Sequence, residues 1–357
     1  MPVTIRDVAK LAGTSPTAVS ATLSGNSKTN IRVGKETRER IYAAAAQLGY
    51  SPSQIAKSLA TGKTKVIGLV LPYADAFVDQ NPFCSEVMSG IMHEVVARHY
   101  NLMLFTATSG MNYDQMAMLI DSRVEGVLLV MPPDDSAMHL KCERRRIPYV
   151  SILRPVHEGA WSVNSDDFAG GVLAAEHLYR LGHRKVAILE GGSDVNTSAP
   201  RRDGFLSVYN KAGLEVQIVP AGFGWRPGMI AMKHILNQPT DNRPTALFAA
   251  NDLCAEGAMR AAKDHGLRIP EDLAVIGYDD TWFASMTQPA LTTIRMPISE
   301  MGHKAASMLI DRLEDQEPED KNPILPVSLT IRHSCGALAA TSPVAGDGFP
   351  NLIEERN

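Results

Sequence analysis

The chain has 357 residues, of which 45% are hydrophobic and 21% charged, so it can bury a large core and is not a disordered protein. No apolar run reaches the roughly 18 residues needed to span a bilayer, which excludes an integral membrane protein. The N-terminus lacks the apolar core of a signal peptide, which argues against secretion. The cysteines form no CxxC pair, which indicates reduced thiols in a cytoplasm rather than disulfides or a zinc site; they are Cys84, Cys142, Cys254 and Cys335.

The charge is unevenly distributed along the chain. The net charge is -4, yet residues 1–63 hold nine basic and three acidic residues, a charge of +6 against -10 for the remainder. A small basic head on a large acidic body suggests that the head meets a polyanion. Charge alone does not decide this, because a basic surface is often only a solvated one.

The first 25 residues contain signals for two short helices. Thr4 with Asp7 resembles a capping box before the first helix, and Gly13 can end that helix in the left-handed conformation. Ser15 followed by Pro16 predicts the start of the second helix. Helices of this length joined by three or four residues are typical of a helix-turn-helix.

A third helix is predicted over about Lys35–Leu48, which completes a small three-helix core. Spacing alone also fits a helical hairpin without a DNA role. The head nevertheless closely resembles that of the LacI/GalR repressor family. The matching strings are Thr4–Ser15, Ala18–Ser20, Arg32-Val33, Thr37–Arg40, Gly49–Pro52 and Ala56–Leu59. The resemblance implies an all-α helix-turn-helix headpiece over residues 1–50.

In that family the second helix enters the major groove, which places Pro16, Thr17, Ala18 and Ala21 at base-reading positions. None of these four residues can make a bidentate contact with a base edge, so reading is expected to depend on fit and DNA deformability. The segment 25–30 is longer than in some members. The residues that the resemblance implies at the DNA are Thr4, Arg6, Ser15, Pro16, Thr17, Ala18, Ser20, Ala21, Arg32, Ser53, Ala56 and Leu59.

Residues 51–64 match the family's hinge and linker. Ser51-Pro52 predicts the start of a helix of about two turns, too short to be stable alone in water. The resemblance implies that two such helices pair in a dimer and that Leu59 inserts into the minor groove. The alternative is that Leu59 is an ordinary linker residue. The triplet Gly62-Lys63-Thr64 fits the end of a phosphate-binding loop of the GxxxxGK[ST] type. The first glycine of that motif would be residue 57, which is a lysine, so the motif is not present.

From residue 65 onward, apolar strands alternate with helical patterns in two successive series. This alternation predicts parallel sheets covered by helices on both faces, in two similar subdomains. Ligands of such sheets bind at the carboxyl ends of the strands. The strands are expected near residues 66–71, 102–105, 126–130, 149–152, 185–190, 246–249 and 273–277.

The body strings resemble the LacI/GalR effector domain, an α/β periplasmic-binding-protein-like domain of two doubly wound parallel-sheet subdomains. The resemblance extends over residues 65–335 and implies crossings between the subdomains near 164, 291 and 325. The N-subdomain is then expected at about 65–164 and 292–325, and the C-subdomain at about 165–291 and 326–335. Residues 336–357 are rich in small residues, Gly and Pro and are expected to be a disordered tail.

By the same resemblance, Arg201, Asn251 and Asp279 grip a small polar effector and Trp225 lies against it. Such fixed donors and acceptors suit adjacent hydroxyl groups. Each residue has an ordinary alternative, since Asp279 could cap a helix, Arg201 could form a surface ion pair and Trp225 could belong to the core. His183 is interpreted as a structural loop residue.

Three classes of function compete for this sequence. An α/β enzyme is disfavoured because GxSxG, HExxH, GxGxxG after a strand and a complete phosphate loop are all missing from the sequence. A periplasmic binding protein is disfavoured by the basic head and the missing signal peptide. The favoured interpretation is a cytoplasmic homodimeric repressor that binds a near-palindromic operator under control of an effector, such as a carbohydrate or its phosphate, without metal or cofactor.

Overall fold

The chain divides into two compact units, Met1–Lys65 and Val66–Asn357, each with its own hydrophobic core. The computed structural model describes residues 3–23, 33–51, 63–71, 81–105, 113–133, 136–153, 159–192 and 198–338. The expected insertion 25–30, the hinge helix and the tail beyond residue 338 lie outside the described residues.

The first unit contains three helices, α1 (Ile5–Ala12), α2 (Pro16–Leu23) and α3 (Lys35–Leu48). Their apolar faces enclose a small core, because residues three and four apart lie on one side of a helix. Its fully buried side chains include Val8, Val19 and Ile41. The predicted helix-turn-helix is confirmed.

Local capping explains where α1 begins and ends and where α2 begins. The backbone N–H of Thr4 donates to Oδ2 of Asp7 (2.9 Å), and the Thr4 hydroxyl donates to the same oxygen (2.7 Å). Gly13 ends α1 in the left-handed conformation at φ 62°. The Ser15 hydroxyl oxygen accepts from the N–H of Ala18 (3.2 Å) and satisfies one of the first free donors of α2.

The second unit contains two six-stranded sheets. The first sheet has the order β11-β5-β4-β3-β1-β2 and is parallel throughout. Its strands are β1 (Val66–Val70), β2 (Asn101–Phe105), β3 (Gly126–Val130), β4 (Tyr149–Ile152), β5 (Ser162–Ser165) and β11 (Ile324–Leu325). Its helices are α4 (Pro82–Ala97), α5 (Tyr113–Met116), α6 (Met138–Arg144) and α11 (Ile298–Leu313).

The second sheet has the order β12-β10-β9-β8-β6-β7, and its strands are parallel except for β12, which is antiparallel to β10. Its strands are β6 (Val186–Glu190), β7 (Val216–Pro220), β8 (Ala246–Ala249), β9 (Ala274–Asp279), β10 (Thr292–Arg295) and β12 (Ser328–Thr330). Its helices are α7 (Asp167–Arg180), α8 (Ser198–Lys211), α9 (Trp225–Leu236) and α10 (Asp252–Asp264). The predicted two-sheet α/β architecture is confirmed.

One expected boundary is wrong. Residues 292–295 were assigned to the N-subdomain, but β10 pairs along its length with β9 in the second sheet. The chain returns to the first sheet only at α11, which packs on β3 and β4. The second crossing therefore follows Arg295 instead of residue 291, because β10 pairs with β9 before the chain leaves the second sheet.

Three helix pairs approach closely through reciprocal glycines. A Cβ on either glycine of a pair would lie within 3.0 Å of a backbone oxygen of the partner helix, closer than real Cβ atoms come. Backbones at this distance leave no room for a side chain, so each glycine is required by packing. The pairs are Gly90 with Gly302 (α4 and α11), Gly171 with Gly204 (α7 and α8), and Gly228 with Gly257 (α9 and α10).

Within the described residues, no helix is long and apolar enough to cross a membrane, and no group of three or more His, Cys, Asp or Glu is placed to hold a metal ion. All four cysteines are buried, free thiols.

Candidate functional site

Polar residues gather at the carboxyl edge of the second sheet, where its parallel strands end. Asp279 is the last residue of β9, and Asn251 is the second residue after β8. Arg201 lies in the first turn of α8, the helix after β6, and Trp225 begins α9, the helix after β7. The topology therefore brings all four predicted effector residues to one edge, as expected for a ligand site of a parallel sheet.

Arg201 is held at the centre of this site and is only 4% exposed. Its Nε donates to Oδ1 of Asp167 (3.0 Å), and its Nη1 donates to the carbonyl oxygen of Ala250 (2.7 Å). The guanidinium stacks on the ring of Tyr278, with 3.7 Å between Cζ and the ring centroid. The Tyr278 hydroxyl donates to the same Asp167 oxygen (2.9 Å). Arg201 is thus a buried, preorganised cation and not a surface ion pair.

Asp279 faces this cation from the end of β9. Its Oδ1 lies 3.7 Å from Nη1 of Arg201, close enough for an ion pair and too long for a good hydrogen bond. Burial raises the pKa of Asp279 well above its usual range; Arg201 opposes this effect, and the carboxylates of Asp252 and Asp167 reinforce it.

The backbone of Asp279 is strained. Its φ of 107° lies in the region that non-glycine residues rarely adopt. Strain of this kind costs about 1–3 kcal/mol and persists where the surrounding structure imposes it, often at functional sites. The strained residue places its carboxyl group 3.7 Å from Arg201 at the edge of the sheet.

Asn251 caps α10. Its side-chain oxygen accepts from the N–H of Cys254 (2.9 Å). The short helical turn Trp282–Ser285 that follows β9 has Thr281 at its N-cap, so Asp279 does not cap it. The next residue, Asp252, is buried and accepts from the N–H and hydroxyl of Thr281 (2.8 and 3.0 Å) and from the hydroxyl of Thr293 (2.6 Å). The helix cap uses the side-chain oxygen of Asn251 and leaves its NH₂ group as a donor for a ligand. Asp252 instead holds Thr281 and Thr293 in place.

Trp225 is not a core residue, because 48% of it is exposed. The Arg226 guanidinium lies 5.4 Å from its ring centroid. The carbonyl oxygen of Trp225 packs against Gly257, just as that of Arg201 packs against Gly171. Both predicted effector residues are therefore placed by a glycine of the neighbouring helix.

The site is also connected to the first sheet. Met296, just after β10, lies with its sulfur 3.8 Å from Nη2 of Arg201, and the Ser165 hydroxyl at the end of β5 donates to the same sulfur (3.2 Å). On α4, the half-buried Glu86 lies near the second sheet's residues: burial raises its pKa, and the backbone N–H of Trp282 opposes this effect. Each sheet with its helices forms one lobe of the second unit, and groups of both lobes therefore meet beside Arg201.

The predicted DNA-reading residues of α2 lie on its accessible side. Pro16, Thr17 and Ser20 are exposed and Ala18 and Ala21 half-buried, whereas the intervening Val19 is fully buried in the core. Thr4, Arg6 and Ser15, at or near the helix starts, are exposed as well. Arg32, Ser53, Ala56 and Leu59 lie outside the described residues.

Sequence reasoning missed several residues that build the site. Asp166 caps α7 by accepting from the N–H of Ala169 (2.9 Å), while its neighbour Asp167 holds Arg201. Two successive aspartates at a helix start were a usable signal, since only one of them can cap. His183 Nδ1 lies 2.9 Å from the Thr245 hydroxyl and burial lowers its pKa, which fits a structural loop residue.

Comparisons with known proteins agree with this geometry. Residues 4–53 match the bacterial regulatory proteins of the lacI family, and residues 175–335 match a periplasmic binding protein-like domain. The HTH-type transcriptional repressor PurR of Erwinia tasmaniensis is 36% identical over 326 residues, which cover 89% of this chain and 92% of that protein. PurR of Serratia proteamaculans is also 36% identical over 326 residues, with the same coverage.

Two solved structures are similar over nearly the whole chain. The lac repressor dimer bound to operator and the anti-inducer ONPF is 27% identical with a TM-score of 0.81, covering 94% of this chain and 99% of that one. The complex of the transcriptional regulator CelR with cellobiose is 29% identical with a TM-score of 0.69, covering 93% and 99%.

Proposed function

This chain belongs to the LacI family of bacterial regulatory proteins, and we propose that it is a transcriptional repressor whose effector binds among Arg201, Asn251, Asp279 and Trp225. The observation that carries the assignment of the effector site is the buried Arg201–Asp279 pair at the sheet edge. A guanidinium and a carboxyl group 3.7 Å apart offer a donor and an acceptor to one ligand, inside a site where an unmatched partner is penalised.

On the DNA side, we propose that the exposed face of α2 enters the major groove. The face that would meet base edges is formed by Pro16, Thr17, Ala18 and Ala21, while Ser15 and Ser20 would approach phosphates. The net charge of +6 over residues 1–63 favours a phosphate backbone. Small side chains on this face favour reading by fit and DNA shape.

The carbohydrate class of effector is supported by the similar CelR–cellobiose complex and by a ribose-bound LacI family regulator from Enterococcus faecium, which is 28% identical with a TM-score of 0.67 and covers 76% of this chain and 98% of that one. We propose a homodimer on a near-palindromic operator, since one small head covers too few base pairs for specific recognition. We further propose that the protein is cytoplasmic and has no enzymatic activity, because the PurR relatives are transcriptional repressors.

A binding experiment with matched variants tests the DNA assignment. Ala18→Asp places a negative charge on the reading face without disturbing the fold, because an acidic residue in the first turn of a helix is tolerated. Ala43→Asp makes the same change on an exposed position of α3. Against a duplex selected from a random pool, Ala18→Asp should lose well over tenfold in affinity and Ala43→Asp should lose little.

Equal behaviour of the two variants would contradict the role of α2. If the unmodified protein bound a sugar but retarded no DNA duplex, a periplasmic-type sugar-binding protein would be the better interpretation.

A further inference from the structure

A cluster of basic side chains lies at the amino edge of the first sheet, where its strands begin. Arg123 stands in the loop before β3, and Arg144–Arg146 complete α6 and the turn that leads to β4. Because β3 and β4 are neighbours in the sheet, the two loops lie side by side. Lys141 adds a further cation in the last turn of α6. We call these five residues the basic edge.

Backbone carbonyl groups hold two of the arginines in place. Nη1 of Arg145 donates to the carbonyl oxygen of Ile120, and Nη2 of Arg123 donates to that of Leu119 (3.4 Å). These two carbonyl oxygens belong to successive residues, so the guanidinium groups are brought close together. Hydrogen bonds from Arg123, with a smaller contribution from the charge of Arg145, lower the pKa of Asp121. The cations thus form one cluster rather than scattered surface charges.

The basic edge holds more positive charge than the acids of the same segments neutralise. Its five cations stand against Asp121, Glu125 and Glu143, which leaves a charge of +2, although the chain after residue 63 carries -10 in total. Burial and the like charge of Arg145 lower the pKa of Lys141, which indicates that cations crowd one another here. All four arginines are exposed. An anionic partner can therefore reach them.

The chain enters the second unit at this same edge. Val66 is the first residue of that unit and begins β1, which lies next to β3 in the sheet. The N–H of Glu125, in the loop of Arg123, donates to the carbonyl oxygen of Val66 (2.8 Å). Leu59, which the family resemblance places at the minor groove, precedes Val66 by seven residues, a stretch that spans at most about 25 Å. DNA held by the head and the hinge is therefore tethered near the basic edge.

The phosphate backbone of DNA fits these arginines in charge and geometry. A guanidinium can donate two parallel hydrogen bonds to one phosphate group. An acidic protein surface would also suit arginines, but duplex DNA is the polyanion that the same chain holds through its head. A short tether raises the effective concentration of a second site to roughly the millimolar range, so even a weak contact adds to the total affinity.

We propose that the basic edge is a second DNA-contacting surface, which binds phosphate groups of the operator beside the base pairs held by the head. This inference rests on the proposed function, because it requires that the head binds DNA. It gives the second unit a direct part in DNA binding in addition to effector recognition. Such a contact carries no sequence information and adds affinity to a head whose reading face has only small side chains.

The experiment measures the affinity of the full chain for a duplex selected from a random pool, and for a scrambled duplex, over a range of salt concentrations. Arg144→Gln combined with Arg146→Gln removes two exposed charges per subunit and keeps Arg123 and Arg145 in place. The matched control combines Arg180→Gln on α7 with Arg260→Gln on α10, two exposed arginines of the second lobe.

Each phosphate contact contributes about 0.9 to the slope of log affinity against log salt concentration, and the proposed dimer would lose four arginines. The slope should therefore become shallower by about 2–4 on both duplexes, and affinity at low salt should fall at least about tenfold. The control should keep the slope of the unmodified protein. Arg144→Lys combined with Arg146→Lys keeps the charges and should keep most of the slope.

Two results would overturn the inference and leave the proposed function standing. One is a glutamine variant with the slope of the control, and the other is a lysine variant that loses as much as the glutamine variant. If the double glutamine variant does not fold, Arg144→Gln alone replaces it, with about half the expected change in slope. An unmodified chain that binds no duplex would overturn the proposed function, and the inference with it.

Discussion

Replacing Arg201 with methionine should destabilise the second unit by about 3–5 kcal/mol, the usual cost of removing one partner of a buried ion pair. The change strands the Asp167 carboxylate and leaves the carbonyl oxygen of Ala250 without its 2.7 Å donor. It also removes the guanidinium from the Tyr278 ring, a contact worth about 2 kcal/mol when desolvated. These effects overlap, so the total is not their sum.

The neighbouring residue is a matched control. Arg202 lies on the same helix and pairs with Glu190 and Asp203, but 31% of its side chain is exposed. Exposed pairs contribute roughly 0–1 kcal/mol, so Arg202→Met should cost much less than Arg201→Met. Calorimetry should place the melting temperature of the Arg201 variant about 6–10 °C below that of the unmodified protein.

The pH dependence separates a stranded charge from lost packing. Without Arg201, the carboxyl group of Asp279, whose pKa burial already raises, can avoid an unpaired buried charge by taking up a proton. The stability deficit of Arg201→Met should therefore be smaller at pH 5 than at pH 8. A deficit no larger than that of Arg202→Met, or one independent of pH, would refute the structural role of the pair and leave Arg201 as a ligand residue alone.

Three further changes test other parts of the structure. Gly171→Ala should lower the free energy of unfolding by about 1–3 kcal/mol and weaken effector binding, because its Cβ would meet the carbonyl oxygen of Arg201. Denaturant titrations measure the loss of stability, and an unchanged effector affinity would contradict the reasoning. Burial raises the pKa of Asp252 to about 7 from 3.8, so the native state keeps a proton that the unfolded state loses, and the free energy of unfolding should fall from pH 4 to 7. Asp252→Asn should flatten that decline in urea titrations, and an identical slope would exclude Asp252 as its source. Leu59→Ala, outside the described residues, should lower operator affinity more than tenfold with little change on a scrambled duplex, and equal losses on both would leave Leu59 a linker residue.

The parts of the fold that follow from short-range chemistry could be predicted from the sequence. Gly13 and the Ser15-Pro16 pair act within a few residues, so the end of α1 and the start of α2 follow from them. Seven strands of the body were recognisable because parallel strands covered on both faces are almost entirely apolar, whereas β5, β7, β10, β11 and β12 were not predicted. The sheet to which 292–295 belongs was also not predicted, since the sequence of a strand does not encode its neighbour in the sheet.

The candidate site could be predicted only in part. Family resemblance located Arg201 and Asp279, but the partner that holds Arg201 is Asp167, 34 residues earlier in the chain. Gly171 and Gly257 read in the sequence as ordinary helix glycines, because their role depends on the backbone of another helix. Pairings that form only after two elements pack leave no periodic signal in the sequence.

An effector can shift this protein between states only through contacts that differ between those states. Met296 is placed where such a difference can arise. Its sulfur lies 3.8 Å from Arg201 and accepts from the Ser165 hydroxyl at the first crossing, while its backbone N–H donates to the carbonyl oxygen of Asp279 (3.2 Å). A ligand oxygen that binds Nη2 of Arg201 competes directly with this thioether. If the proposed effector binds Arg201, it would therefore act on a residue that joins two segments running between the subdomains, which would give a short physical connection between effector binding and the relative position of the subdomains.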